Sequence, residues 1–294
     1  MNIFLTGATG YVGSGVLSAL TSAGHAVTAL VRTDEAAAAV RRDGVEPVIG
    51  TMGDAALITA LARDTDGVIH TASPGDETSP AAEDALAAAV LAGLGERDAA
   101  FIRTGGIWVH GSGAAITEAT PRNAPPLVAW REEIDTRVLA TPGVRSILVE
   151  PGIVYGRGGG IPNMVVGAGT SGDPAALELI GDGTQHWSTV HVDDLGELYV
   201  AALERGAAGS TFLGASGSNP TSRELGEAAS RARGLDGRVV PEAPERTVER
   251  LGAFGEALLL DQQATGAHAR EALGWEPTRP SLVDEIERGS YRRD

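Results

Sequence analysis

The first residues of this chain have the spacing of an anion cradle. Thr6-Gly7-Ala8-Thr9-Gly10-Tyr11-Val12-Gly13 puts glycines at positions 7, 10 and 13. The apolar run Asn2 to Thr6 precedes them, and Tyr11 to Ala23 follows with helical spacing of Val12, Val16, Leu17 and Leu20. A strand, a glycine turn and a helix in that order suit a dinucleotide. Gly7 permits the tight turn, Gly10 lets backbone approach a pyrophosphate, and Gly13 lets the helix lie close to the strand. The helix start contributes free N–H groups and a partial positive charge. Three glycines also lower helix stability, which a ligand-free turn does not explain.

The second strand, Ala26 to Arg32, decides which dinucleotide. A site for NAD usually carries an acidic side chain there to bond the ribose 2′-hydroxyl. This strand ends in Val31-Arg32-Thr33. Arg32 suits a 2′-phosphate, with Thr33 as a hydroxyl donor, while Asp34 reads as the N-cap of an Ala-rich helix over 35–42. The expectation is NADP(H) in preference to NAD(H).

Composition narrows the chemistry further. The 294 residues carry a formal charge of −16, which disfavours nucleic acid and anionic lipid as partners. No run of apolar residues predicts a membrane span. The N-terminus MNIFLTGATG lacks a basic leader, so a cytoplasmic location is expected. Absence of cysteine excludes a disulfide, a thiolate nucleophile and a zinc–thiolate site. All 23 basic residues are arginine, so Schiff-base chemistry on a lysine is excluded too. High Ala, Gly and Arg without Lys fits a GC-rich bacterial coding bias.

The elements that must position these residues alternate in kind. Strands are expected at 2–6, 26–32, 45–49, 67–72, 99–104 and 144–150. Helices are expected over 11–23, 35–42, 54–63, 80–95 and 127–140. Such alternation predicts an α/β fold: a Rossmann-type doubly wound parallel sheet with right-handed crossovers and apolar strands covered on both faces. Residues 1–155 are expected to form the dinucleotide-binding domain. Residues 156–294 are expected to form a smaller, mostly helical substrate region, part of whose chain returns to the main sheet. Within it, Gly156 to Gly160 reads as a mobile loop, 188–192 as a strand before a helix near Asp193, and Thr221-x-x-Glu224 as a capping box.

Several further segments span nearly the whole chain: GDAALITAL at 53–61, DGVIHTAS at 66–73, EPGIVYGRGGG at 150–160, HWSTVHVDDLGELY at 186–199 and ALGWEPTRPSLVDEI at 272–286. With the glycine turn, they make the sequence resemble the extended and atypical short-chain dehydrogenase/reductases, the NAD(P)-dependent epimerase/dehydratase-like proteins. The resemblance implies that Gly7, Thr9, Gly10, Tyr11, Val12 and Gly13 meet the pyrophosphate. It implies that Thr51 and Met52 line the adenine pocket, although relatives often have Asp where Thr51 stands. Ala72 and Ser73 would lie along the cofactor, and Pro151, Gly152, Ile153 and Val154 would flank the nicotinamide. Related proteins often pair through helices on one sheet face, so the resemblance is compatible with a homodimer.

The resemblance also implies a Ser/Thr, a Tyr and a Lys four residues after the Tyr, and here it breaks. Aligned without gaps, Gly106 takes the hydroxyl position, Leu127 the tyrosine position and Arg131 the lysine position. Arg131 then binds the cofactor ribose or a substrate anion, since its pKa is too high for proton transfer. Tyr155, after the sixth strand, is a candidate proton donor or a packing residue in a recurrent turn. His110 faces the cleft or sits in a turn; Trp130 stacks on a flat substrate or lies in the core. His186 and His191 fall on opposite faces of a strand-like segment, so with Asp193 they read as structure and no metal site is expected.

The leading function is an NADP(H)-dependent oxidoreductase acting on a small organic carbonyl, alkene or imine. Two alternatives stay open: a non-redox isomerase, cyclase or dehydratase on the same scaffold, and an NADP(H)-binding sensor without turnover.

Overall fold

The computed structural model describes residues 1–292. Its first half runs β1 (Asn2–Thr6), α1 (Tyr11–Ser22), β2 (Ala26–Val31), α2 (Asp34–Val40), β3 (Val45–Ile49), α3 (Ala55–Arg63), β4 (Gly67–His70), α4 (Ser79–Leu94) and β5 (Ala100–Thr104). A 3₁₀ turn (Ile107–His110), β6 (Gly113–Ile116), α5 (Arg131–Leu139), β7 (Arg145–Pro151), β8 (Ile153–Tyr155) and α6 (Pro162–Val166) come next. Then follow β9 (Thr170–Ser171), β10 (Ala176–Glu178), β11 (Thr189–His191), α7 (Val192–Arg205), β12 (Ser210–Gly214) and α8 (Ser222–Ala232). The chain ends with β13 (Val239–Val240), α9 (Pro244–Leu251), α10 (Ala253–Leu258), β14 (Gln262–Ala264), α11 (Ala267–Leu273) and α12 (Leu282–Arg288).

Seven strands form one parallel sheet in the order β12-β7-β5-β4-β1-β2-β3. The strands are apolar on both sides because helices cover both faces. One face holds Ile3, Leu5, Val16, Leu20, Leu195 and Leu198 beneath α1 and α7. The other holds Phe4, Ile58, Leu86, Val90, Phe101 and Val138 beneath α3, α4 and α5. The strand order reverses between β1 and β4, which opens a crevice beyond their carboxyl ends, where such sheets bind ligands.

The last strand of this sheet, β12, and its helix α7 come from beyond residue 155. STFLG at 210–214 was not expected as a strand; its five residues pair with Ile147 to Pro151 of β7. The remaining C-terminal elements bury their own cluster, including Tyr155, Leu177, Trp187, Leu225, Leu258, Leu282 and Ile286. Among the described residues no helix is long and apolar enough to cross a membrane.

Local signals explain several boundaries that differ from expectation. Helix α2 starts one residue earlier because Thr33, not Asp34, is its N-cap: the Thr33 hydroxyl oxygen accepts from Ala36 N–H at 3.2 Å. Helix α5 begins at Arg131, since Pro125 and Pro126 open tight turns in which Val128 and Ala129 N–H both donate to the Pro125 carbonyl. His191, not Asp193, caps α7, its Nδ1 accepting from Asp193 N–H at 3.1 Å. The capping box Thr221/Glu224 forms as read.

The glycine run at 156–160 is tied down, not loose. Tyr11 OH donates to the Gly156 carbonyl at 2.8 Å. Tyr291 OH accepts from Gly156 N–H at 2.8 Å and donates to the Gly159 carbonyl at 2.5 Å. Gly158 N–H donates to Ser290 Oγ at 2.8 Å. The C-terminal segment therefore holds this loop against the first helix, by contacts remote in sequence.

Helices α1 and α7 cross backbone to backbone. A side chain at Gly15 would come within 2.7 Å of the Val192 carbonyl, and one at Gly196 within 2.6 Å of the Gly15 carbonyl. Gly196→Val should therefore destabilise the fold by about 1–3 kcal/mol through overpacking. A lowered urea midpoint for unfolding is the expected result; an unchanged midpoint would show that the two helices separate freely.

Candidate functional site

The crevice is built on the β1–α1 turn. Gly7 has φ of +79°, a left-handed conformation, and a Cβ there would lie 2.7 Å from Ala72 N. A Cβ at Gly13 would overlap the Gly7 carbonyl. Both glycines are thus required by the protein itself. Gly10 is different: the one atom near its Cβ position is the Gly7 carbonyl, at 3.1 Å, and it faces outward.

Helix α1 also starts, at Gly10, without a side-chain cap. Side-chain oxygens cap α2, α3, α8 and α12; α1, like α4, α6 and α11, has neither a side-chain cap nor an acid in its first turn, but α1 alone of these follows the glycine turn at the end of β1. Its first amides are left for an external acceptor, the arrangement an anionic diphosphate needs. The residues present therefore fit the dinucleotide expected there. Register pairs Thr6 with Leu30, so Arg32 and Thr33 stand beside this turn at the neighbouring strand end. Arg32 is exposed and, among the described residues, makes no ion pair or hydrogen bond. Thr51 and Met52 follow β3 on the same edge, Thr51 exposed and Met52 packed against the α3/α4 side.

Next to the turn lies a cavity of about 290 Å³. Its walls are Tyr11 from α1, Gly105 to Trp108 after β5, Val128 and Arg131 before and at the start of α5, Pro151 to Val154 after β7, and Gly160 with Ile161. It brings together Tyr11, Arg131, Pro151, Gly152, Ile153 and Val154 from the sequence reading. It adds Ile107, Trp108, Val128 and Ile161, apolar residues indistinguishable in sequence from core. Gly106 and Arg131 line it, while Leu127 is 36% exposed and does not.

Among the described residues Arg131 is the one charged side chain in this wall. Its Nη1 donates to the Thr104 carbonyl at 3.1 Å and stands 3.7 Å from Glu83 Oε2. The guanidinium lies 4.6 Å from the Trp130 ring centre, a cation–π contact. Burial pulls its pKa below the ordinary arginine value, with Glu83 opposing. Trp130 therefore supports Arg131 and does not itself line the cavity.

Beneath the wall runs a buried network of charge absent from the sequence reading. Arg103, fully buried on β5, donates to Glu83 Oε2 at 2.5 Å and to Asp135 of α5. Arg122 donates to Asp135 at 2.8 Å and to Glu150 Oε1 at 2.9 Å. His110 is buried, with Nε2 2.9 Å from Glu150 Oε2 and Nδ1 3.0 Å from the Thr120 carbonyl, so it does not line the cavity. Glu83 Oε1 accepts from Ser73 OH at 2.8 Å, joining the network to the loop expected along the cofactor. His70 is buried beside it, and desolvation, with Arg103 and Arg131, pushes its pKa down to about 3. Stranding one charge here would cost about 3–5 kcal/mol, so the network fixes where Arg131 stands.

Other candidates have structural partners. Tyr155 is 1% exposed, lies outside the cavity wall, and its OH donates to the Pro280 carbonyl at 2.8 Å. Burial, then Asp194 and Glu285, push its phenol upward; with its hydroxyl hydrogen-bonded to the Pro280 carbonyl it anchors the C-terminal segment, the packing role of the two expected for it. Tyr11 lines the cavity, but burial and Tyr291 raise its phenol in the same way. His186 pairs with Asp261 at 2.8 Å, and His191 caps α7.

Comparison with known proteins agrees with this geometry. A family model described as NAD(P)H-binding matches residues 7–129. An uncharacterized protein of Schizosaccharomyces pombe is 32% identical over 99% of this chain and 100% of its own length. A 3-diazoavenalumate denitrifying reductase of a Streptomyces species is 27% identical over 98% and 100%. A 4-hydroxy-2-methyl-3-oxo-4-farnesyl-3,4-dihydroquinoline-1-oxide ketoreductase of Stigmatella aurantiaca is 28% identical over 86% and 80%. In fold, the chain matches dTDP-glucose 4,6-dehydratase of Bacillus anthracis in complex with NAD, with TM-score 0.80, 17% identity and 99% and 96% coverage. The chain belongs to one family with the Schizosaccharomyces pombe protein, matches the NAD(P)H-binding model over residues 7–129, and shares its fold with the NAD-bound dehydratase.

Proposed function

We propose that this protein is an NADP(H)-dependent oxidoreductase that reduces a small electrophilic organic substrate, with Arg131 acting where relatives use a Ser–Tyr–Lys trio. The single observation that carries this reading is the Arg131 guanidinium, alone among apolar side chains in the cavity wall. When bound, the nicotinamide supplies a hydride. Addition of that hydride to a carbonyl carbon leaves negative charge on oxygen. Arg131 holds N–H donors toward that oxygen in a largely apolar cavity, where such contacts are strengthened. Arg131 stays protonated, so solvent delivers the proton.

The same wall argues against the isomerase and dehydratase alternatives. Those reactions need a base to remove a proton from carbon. Among the described residues no carboxylate, histidine or lysine lines the cavity. Reductase relatives, which include a ketoreductase and a denitrifying reductase, also favour hydride transfer. Arg32, exposed beside the glycine turn, supports NADP(H) over NAD(H).

NADPH oxidation followed by absorbance across a panel of carbonyl compounds tests the reading; consumption with at least one is expected. Tight NADPH binding with no consumption would favour a sensor. Arg131→Gln should lower kcat/KM about 100-fold with little change in Tm. A matching fall in Tm would return Arg131 to a structural role. Arg32→Ala should weaken NADPH about tenfold or more and leave NADH within about twofold; equal losses for both would remove the 2′-phosphate contact. Gly10→Val should abolish NADPH binding in a folded protein, because its bulk enters the diphosphate space and not the core. Normal affinity in that variant would contradict the placement.

A further inference from the structure

We infer that the substrate is a compact planar molecule with its polarity at one end, an aryl or conjugated carbonyl compound, and not a nucleotide sugar or other polyol. The inference rests on the oxidoreductase reading for the reaction but on the cavity alone for the ligand class.

Size is the first constraint. The cavity holds about 290 Å³ and is floored by Pro151 to Val154, the segment expected to flank the nicotinamide. A cavity of about 150 Å³ takes a benzene ring. With the nicotinamide ring in place, roughly one further ring fits.

Polarity is the second constraint. The side chains of Ile107, Val128, Ile153 and Ile161 carry no donor or acceptor, and that of Trp108 carries one, the indole N–H. The Tyr11 hydroxyl already donates to the Gly156 carbonyl. Each sugar hydroxyl buried against such a wall without a partner would cost about 1–3 kcal/mol. One oxygen, by contrast, meets Arg131.

Shape is the third. Nothing lies within 4 Å of the Cβ position of Gly106, so the wall is open there, where a ring can lie against the bare backbone. The Trp108 ring beside it is braced edge-on by Phe254, with centroids 5.8 Å apart at 73°. A flat ring fits between such surfaces better than a puckered one.

Two readouts separate this inference from the reading beneath it. Calorimetry on the NADP+-loaded protein with benzoate, a non-reducible probe, should give binding that Arg131→Gln weakens at least about tenfold. UDP-glucose under the same conditions should give none. In turnover with NADPH, benzaldehyde should exceed xylose in kcat/KM by about 100-fold. Gly106→Leu, which fills the open space beside Gly106, should remove most of that preference. UDP-glucose binding more tightly than benzoate, or xylose turned over as well as benzaldehyde, would overturn the inference. Benzoate binding without NADPH consumption by any aldehyde would uphold the ligand class and defeat the redox reading.

Discussion

Everything in this structure turns on a helix that begins without a cap. Helices α4, α5, α6, α9, α10 and α11 also begin without a side-chain cap, so it is the place of α1, directly after the glycine turn, that gives its free amides a ligand to meet. Its start at Gly10 faces the crevice where strand order reverses between β1 and β4. Free amides cost stability unless an acceptor arrives, and an anion at a helix start recovers about 0.3–1 kcal/mol from the dipole alone. The net charge of −16 does not cancel this, because the helix end and Arg32 act at contact distance and the remaining field is screened.

From that point the rest of the site is assembled by contacts remote in sequence. Tyr11 carries the turn's geometry to the glycine loop, and Tyr291 fixes that loop from the far end of the chain. Glu83 connects Ser73 on the cofactor side to Arg103 beneath the sheet and stands near Arg131. A buried arginine held between two carboxylates is costly to desolvate, and such pairs often add little net stability. Here the arrangement sets the position of a guanidinium in an otherwise apolar wall, which is what electrostatic stabilisation of a developing oxyanion requires.

The parts legible in the sequence were those with local signals. The glycine turn, the alternating strands to residue 150 and the capping box at Thr221 follow from spacing within a few residues. Arg131 was reached through family resemblance, and the cavity contains it. Tyr155 stays ambiguous in sequence because a tyrosine after a strand looks the same whether its hydroxyl faces a cleft or the Pro280 carbonyl. The charge network was missed although each member leaves a trace: Arg103 interrupts the apolar strand AFIRT, and Glu150 ends the apolar run of β7. A charge in a strand covered on both faces must have a partner. Sequence announces that requirement but not that Glu83 and Asp135 meet it. Strand β12 was missed for a related reason, since STFLG becomes a strand by pairing with β7.

The most direct measurement is a crystal structure of the complex with NADP+. The account predicts diphosphate oxygens within hydrogen-bond distance of the Tyr11 and Val12 amides, the 2′-phosphate against Arg32, and the nicotinamide in the cavity beside Arg131. Nucleotide bound elsewhere, or a nicotinamide ring turned away from Arg131 into solvent, would contradict it.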